Sequence, residues 1–199
     1  EEMEGVSGII TITGGKYATA RLMAEEAVNL ACEKLVGRVV PCTSDKELIY
    51  GATTREEAEK EAQEIHETYH ISRYAAHKFT ARYGMFAKKI LEQYPQQAYV
   101  IDDAVQMIGS EVCYAFQEED VEDFKDLRRR TRLGMGQEQG TFSIYKAGGI
   151  AQQELGMTPA ESEKCVLGYV DERWKGIYFA AQYGDQLPLS ELRQEMYIG

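Results

Sequence analysis

Residues 126–142 limit the possible folds of this chain, because a run of arginines there leads into a loop that contains three glycines. The arginines close an amphipathic run at Arg132, which predicts a helix before the loop. Glycine tolerates positive φ and close backbone approach, so the loop is expected to turn tightly. Thr141 is then placed to cap a second helix, whose free first-turn N–H groups would face the loop. The pattern predicts a cradle between two helices, and its glycines are Gly134, Gly136 and Gly140.

The composition indicates a folded, acidic protein. The 199 residues are enough for one sizeable domain or two small ones. Lysine and arginine total 22 against 33 acidic residues, and this net charge of −11 argues against a nucleic-acid-binding module, which needs positive charge. No run approaches the roughly 18 apolar residues of a membrane span. The opening Glu-Glu-Met-Glu also lacks the pattern of a signal peptide.

The cysteines favour a reducing compartment. They are scattered along the chain without a C-x-x-C pair, which is typical of reduced thiols rather than of a disulfide framework or a metal site. We therefore expect a cytoplasmic protein. The four cysteines are Cys32, Cys42, Cys113 and Cys165.

The N-terminal segment predicts a strand, a turn and a helix. Residues 8–13 alternate and are rich in β-branched side chains, which is typical of a strand, and residues 17–35 predict a helix of about five turns. Gly14 and Gly15 lie between them. This joint suits an anion, because helix N–H groups point at it and Lys16 adds charge. A bare strand–turn–helix joint stays open as the alternative, since the chain has no G-x-G-x-x-G and no Walker motif.

The middle of the chain predicts a small helical unit. Residues 36–52 contain glycine and proline and predict a linker. Thr53 and Thr54 each offer a capping box for the first helix, Ser72 is placed to cap a second over residues 73–83, and a third spans residues 85–94 before a proline.

Two motifs in this unit have a functional and a structural interpretation. His66-Glu-Thr-Tyr-His70 matches the H-E-x-x-H pattern, which on a helix would place both imidazoles on one face to bind zinc. The charged flanks favour surface histidines on a solvated helix, so a zinc hydrolase through His66 and His70 is a remote alternative. A helix-turn-helix over residues 73–91 is disfavoured by the acidic charge balance.

The last hundred residues predict mostly helices. A short apolar segment, residues 98–101, precedes Asp102 and Asp103. Asp120 is placed to cap the helix that leads into the arginines, and Thr158 with Glu161 forms the clearest helix start in the chain. The predicted helices span residues 111–116, 121–131, 141–155, 159–174 and 191–197.

These residues resemble a known family. Residues 126–136, Gln139-Gly140 and Glu172-Arg-Trp-Lys-Gly176 resemble the C-terminal part of the large subunit of anaerobic glycerol-3-phosphate dehydrogenase, and residues 14–25 match the tail of its flavin domain. The resemblance implies an enzyme that binds FAD, oxidises sn-glycerol 3-phosphate to dihydroxyacetone phosphate and passes electrons towards the quinone pool. It implies that Gly14, Gly15 and Lys16 lie against the flavin and the substrate, with Lys16 suited to the substrate phosphate. Arg21 is a weaker candidate that could equally form a surface pair.

The C-terminal hundred residues also resemble the domain type of bacterioferritin-associated ferredoxin, which binds a [2Fe-2S] cluster through four cysteines. The resemblance aligns those cysteines with Ile101, Asp103, Glu138 and Ser143, and none of the four is cysteine here. We expect a retained fold and a lost cluster. The glycine loop would then pack structurally, with its arginines paired to nearby acids such as Glu122, Asp123 and Asp126. The alternative is a functional remnant in which the loop docks onto the flavin domain or a partner subunit.

The sequence therefore predicts a mainly α protein in three parts. These are a β-turn-α tail of an FAD-binding domain (1–40), a small helical domain (41–98) and a ferredoxin-like helical domain without cluster ligands (99–199). The predicted function is the C-terminal portion of an FAD-dependent glycerol-3-phosphate dehydrogenase, inactive alone. The alternative is a docking module of another flavin oxidoreductase. Expected partners are the upstream FAD domain and other dehydrogenase subunits, without nucleic acid or a membrane span, in the cytoplasm or peripheral at the inner face of the membrane.

Overall fold

The computed structural model of the chain describes residues 8–182, with side chains through residue 176. Its contacts divide the chain into two compact units, the first ending at Tyr50 and the second beginning at Gly51. The mainly helical class is confirmed. The division into three parts stays a prediction, and its boundary near residue 98 falls inside the second unit.

The first unit contains one long helix. A 3-10 turn at Tyr17–Thr19 leads into α1 (Ala20–Val36), which ends at Gly37 with a φ of 71°. The predicted helix is thereby confirmed. The predicted strand over residues 8–13 is wrong, because these residues are irregular. A strand needs a hydrogen-bonding neighbour, and no described segment pairs with this one.

The second unit contains seven helices among its described residues and a two-stranded antiparallel sheet. The sheet has a register irregularity between Val100 and Asp102. It lies between a three-helix group (α2–α4) and a four-helix group (α5–α8). The elements are α2 (Arg55–Tyr69), α3 (Arg73–Tyr83), α4 (Ala87–Gln93), β1 (Val100–Asp102), β2 (Met107–Ile108), α5 (Gly109–Glu118), α6 (Phe124–Thr131), α7 (Ser143–Glu154) and α8 (Pro159–Gln182).

Local capping signals placed most helix starts correctly. Of the two capping boxes that the sequence offers, the one between Thr54 and Glu57 forms, and Ser72 Oγ accepts the N–H of Ala75 at 3.0 Å. Thr158 Oγ1 likewise accepts the N–H of Glu161 at 3.3 Å at the start of α8. Such caps satisfy N–H groups that have no partner within the helix, which is why they can be recognised from sequence.

Two predicted caps are wrong. Asp120 does not cap α6; it adopts a φ of 53°, and Asp123 Oδ1 accepts the N–H groups of Lys125 and Asp126 instead, both at 2.9 Å. Thr141 does not cap α7, which begins at Ser143. Helix α8 extends beyond the predicted residue 174, and the predicted helix over 191–197 lies outside the described residues.

The second unit contains two hydrophobic clusters. The first is formed by α2, α3 and α4, with Ile65, Phe79 and Ile90 almost fully buried. The second gathers α5 to α8 around Phe124 and Tyr169, both at most 1% exposed. The largest fully buried side chains therefore lie on both sides of the small sheet.

An ion pair links the two sides. Arg82 on α3 donates from Nε to Glu111 Oε2 at 2.9 Å and from Nη2 to Oε1 at 2.6 Å. The guanidinium also donates to the carbonyls of Val105 and Gln106, and Glu111 Oε1 accepts the N–H of Ile108 at 2.9 Å. The Glu111 side chain is completely buried. Burial raises the pKa of Glu111, and Arg82 opposes that rise.

We predict that Arg82→Ala lowers the free energy of unfolding by about 3 kcal/mol, because it leaves a buried carboxylate without its cation. Urea unfolding of the chain would measure the change. Arg73→Ala, at the exposed start of the same helix, is the matched control and should change little. The double variant Arg82→Ala/Glu111→Gln should lose less than the sum of the single variants. Equal effects of Arg82→Ala and Arg73→Ala would contradict this role.

Candidate functional site in the glycine loop

The glycine loop turns as its sequence predicted. Gly134 and Gly140 have φ values of 66° and 90°, in the left-handed region that favours glycine. Gly136 shows the close approach instead, since an added Cβ would lie 2.0 Å from the Cβ of Ala104. The two arms of the loop meet, because a Cβ on Gly134 would lie 2.9 Å from Gly140 N.

A buried carboxylate holds the first arm. Asp102, at the end of β1, is 1% exposed. Its Oδ2 accepts the N–H of Gly134 at 2.9 Å, and its Oδ1 accepts the N–H groups of Ala104 and Val105 at 3.0 and 3.3 Å. Asp102 therefore fixes both the sheet turn and the loop.

A second carboxylate holds the other arm. Glu138 accepts the backbone N–H groups of Gly140, Phe142 and Ser143 at 2.9, 2.8 and 3.1 Å, and also accepts the Ser143 hydroxyl. Partial burial acts to raise the pKa of Glu138, but these hydrogen bonds outweigh it and hold that pKa below its usual range. The N-terminal N–H groups of α7 thus bind a side chain of the protein itself.

Tyr169 on α8 closes the loop from the core side. Its hydroxyl donates to the carbonyl of Gln139 at 3.0 Å, and its ring is 1% exposed. A Cβ added at Gly140 would lie 2.2 Å from the Tyr169 hydroxyl oxygen and 2.5 Å from a ring carbon. The cradle predicted from sequence is therefore present, and protein atoms fill it.

Sequence reasoning missed the three side chains that hold the loop. In the sequence, Asp102 stands out only as the residue after a short apolar segment, and Glu138 only through its alignment with a cluster cysteine. Glu138 does carry a local signal, since it stands five residues before the helix start at Ser143. Tyr169 has no such signal, because it lies about thirty residues from the carbonyl it contacts.

The four positions aligned with cluster cysteines do not form a cluster site. Glu138 and Ser143 contact each other through a hydrogen bond. Ile101 is 2% exposed, and its carbonyl accepts from Lys146 Nζ at 3.2 Å, while Asp103 is exposed. None supplies the thiolate that an iron–sulfur cluster needs. These side chains do not fit a [2Fe-2S] cluster.

The cysteines lie elsewhere. All four are free thiols, in α1, the following segment, α5 and α8. Burial raises the pKa of Cys113 to about 12, with nearby Glu154 adding to the rise. This thiol is therefore neutral at physiological pH and behaves as a small core side chain.

The arginines are only partly paired. Arg129 Nη2 lies 2.5 Å from Asp126 Oδ1, which confirms one predicted pair. Asp123 pairs with Lys125 rather than with an arginine. Within the described residues, Arg128, Arg130 and Arg132 and the acid Glu122 form no ion pair; Arg128 Nε is shielded from solvent without a hydrogen-bond partner.

The predicted flavin-contacting residues lie in the first unit. Gly14 and Gly15 have φ values of 73° and 87°, and Lys16 is extended and exposed. These residues line an open cavity of about 290 Å³. Arg21 pairs with Glu25 at 2.8 Å and so forms the surface pair that was its alternative.

The H-E-x-x-H segment lacks the geometry of a helical zinc motif. Helix α2 ends at Tyr69, and His70 follows it with a φ of 57°, so His70 leaves the helical face that bears His66. His66 Nδ1 lies 2.6 Å from the carbonyl oxygen of Ile71. Among residues 8–182, no group of three or more histidine, cysteine, aspartate and glutamate side chains is arranged to hold a metal.

We predict that Gly140→Ala strongly destabilises the chain, by about 3 kcal/mol, because it combines a strained positive φ with overlap against Tyr169. Gly149→Ala is the matched control. Gly149 lies in α7 with nothing within 4 Å of an added Cβ, so alanine there should be neutral or stabilise by about 0.5–1 kcal/mol. Thermal unfolding of both variants would measure the difference; a tolerated Gly140→Ala would show that the loop is not fixed by Tyr169.

We further predict that Glu138 makes the chain acid-sensitive. The pKa of Glu138 is lower in the folded chain than its ordinary value of 4.5, so its contribution is present above pH 4.5 and is lost as the pH falls through the folded value. Wild type should therefore lose stability below about pH 4.5 more steeply than Glu138→Gln does. Urea midpoints across this range test the idea. Glu92→Gln, at an exposed carboxylate, is the control and should follow wild type.

No helix among the described residues is both long enough and apolar enough to cross a membrane.

Comparison with known proteins identifies the family. A family model described as the C-terminal domain of alpha-glycerophosphate oxidase matches residues 42–162. The chain is 34% identical to an anaerobic glycerol-3-phosphate dehydrogenase subunit of Haemophilus influenzae, over 98% of the chain and 34% of that protein. The protein of the same name from Escherichia coli K12 is 36% identical, over 100% of the chain and 35% of that protein.

A more distant relative agrees. Glycerol-3-phosphate dehydrogenase 2 of Mycobacterium tuberculosis H37Rv is 25% identical over 82% of the chain and 29% of that protein. No solved structure matches the chain. The chain spans about a third of the length of the curated relatives it matches. The resemblance drawn from the arginine and glycine motifs is thus confirmed, and the chain belongs to the family of the C-terminal domain of alpha-glycerophosphate oxidase.

Proposed function

We propose that this chain is the C-terminal portion of an FAD-dependent glycerol-3-phosphate dehydrogenase that converts sn-glycerol 3-phosphate to dihydroxyacetone phosphate. One observation carries the proposal: similarity to anaerobic glycerol-3-phosphate dehydrogenase subunits of two bacteria runs through essentially the whole chain. The isolated chain is inactive in this proposal, because residues 8–182 contain no parallel sheet on which a dinucleotide could bind.

Helix α1 supports an origin in a larger domain. None of its 17 residues is buried. Leu22, Val28 and Leu35 are 49%, 59% and 83% exposed, although leucine and valine are usually found in cores. A helix with this composition is stabilised by packing against a larger surface. In the proposal, the flavin-binding part of the enzyme supplies that surface.

The proposal assigns Gly14, Gly15 and Lys16 to the flavin and substrate site. Backbone without Cβ atoms allows a flat ring to approach closely, and both glycines adopt a conformation that other residues avoid. Lys16 has an exposed ammonium group suited to the substrate phosphate. Bound FAD would supply the hydride acceptor. These residues form one wall of a site, and the remainder belongs to the rest of the enzyme.

The proposal also includes loss of the [2Fe-2S] cluster. The side chains at the four aligned positions support this loss. Ile101 is aliphatic, Asp103 is an exposed carboxylate, and Glu138 and Ser143 are hydrogen-bonded to each other. The C-terminal part keeps its loop through Asp102 and Glu138 instead. By the same resemblance, the enzyme is cytoplasmic or peripheral at the inner face of the membrane, and other dehydrogenase subunits are its partners.

Expression of the full-length enzyme that contains this chain tests the proposal. We expect bound FAD, no stoichiometric iron, and oxidation of glycerol 3-phosphate with an artificial electron acceptor. Lys16→Ala should lower kcat/KM by roughly 10- to 100-fold, mainly through KM, because a charge-assisted contact to phosphate is lost. Lys16→Arg should retain most activity, and Lys34→Ala, an exposed lysine at the end of α1, should match wild type. Bound flavin with turnover only of another hydroxy acid would contradict the substrate assignment.

A further inference from the structure

The glycine loop presents apolar and cationic side chains to solvent. Met135 is 41% exposed, Phe142 is 69% exposed and Tyr145, in the first turn of α7, is 50% exposed. Arg132, at the start of the loop, is also exposed. We call these four residues the loop surface. Methionine, aromatic residues and arginine are the types enriched at protein–protein interfaces.

The loop surface is held in place from within. Asp102 and Glu138 accept the backbone N–H groups of Gly134, Gly140 and Phe142, and Tyr169 holds the carbonyl of Gln139. The polar backbone of the loop is thus used internally, and no inward-facing cradle is left for a small ligand among the residues described for this loop. A rigid display of exposed side chains loses little conformational entropy on binding, which favours a protein partner.

Charge indicates the character of that partner. The chain carries a net charge of −11, yet Arg130 and Arg132 stand beside the loop without an ion pair among the described residues. Exposed arginines that have no carboxylate partner within the described part of the chain attract carboxylates on another surface.

We propose that the loop surface docks onto an acidic surface of the flavin-binding part of the same enzyme, with Phe142 as the apolar anchor and Arg132 as the charged contact. This inference rests on the proposed function. The occupant follows from length and chemistry: the chain spans about a third of its relatives, and in the proposed function the flavin-binding part belongs to the same polypeptide. Exposed Phe142 and Met135 favour a protein surface over a phosphate group, which would need only cations.

Site-specific photo-cross-linking in the full-length enzyme tests this docking. A benzoylphenylalanine introduced at Phe142 should cross-link to the flavin-binding part, with the attachment mapped by mass spectrometry to a peptide rich in aspartate and glutamate. The same probe at Tyr74, which is 59% exposed on α3, is the matched control and should give little of this product. Equal yields at both positions, or attachment from Phe142 to a second copy of residues 51–182, would overturn the proposal.

Charge reversal provides the second arm. Arg132→Glu should reduce the Phe142 cross-link by roughly threefold or more, and Arg132→Lys should retain most of it, because a like-charge contact opposes association. Arg73→Glu makes the same change on an exposed arginine elsewhere and should have no effect. A cross-link insensitive to Arg132→Glu would contradict the charged contact. Flavin content and glycerol 3-phosphate turnover of the wild-type enzyme are scored separately, so docking and the proposed reaction can fail independently.

Discussion

Two carboxylates inside the protein fix the glycine loop on which the C-terminal part depends. Asp102 binds the arm at Gly134, and Glu138 binds the arm at Gly140 and the start of α7. Backbone N–H groups clustered in a tight loop form a natural anion site, so some negative group must satisfy them. Here the carboxylates of Asp102 and Glu138 in the chain itself accept these N–H groups.

Contacts around the glycine loop further stabilise its conformation. The ring of Tyr169 occupies the space that Gly134 and Gly140 leave open, which ties α8 to the loop. Asp102 belongs to the small sheet, and that sheet is connected to α3 through Arg82 and Glu111. The loop is thus anchored to both hydrophobic clusters of the second unit, and the side chains on its outer edge are displayed on a firm base.

The sequence correctly predicted features that depend on residues close together along the chain. The caps at Thr54, Ser72 and Thr158 were recognisable because a cap and its N–H partner are three residues apart. The glycine turns were recognisable because their backbone restricts the residue type. Asp120 and Asp123 are both close enough to the start of α6 to cap it, however, and the sequence pattern favoured Asp120, whereas Asp123 is the cap.

The features that the sequence did not predict depend on contacts between residues far apart along the chain. Asp102 is 32 residues from Gly134, and Arg82 is 29 residues from Glu111, so no spacing rule connects either pair. The expected strand at residues 8–13 failed for a similar reason, since a strand forms only beside a partner.

Amide hydrogen exchange of the chain alone, read by NMR at Gly134, Gly140 and Phe142, tests whether the two carboxylates fix the loop. Strong protection without any added ligand, lost at Gly140 and Phe142 but kept at Gly134 in Glu138→Ala, is the predicted result. Rapid exchange at all three amides in the wild-type chain would contradict it.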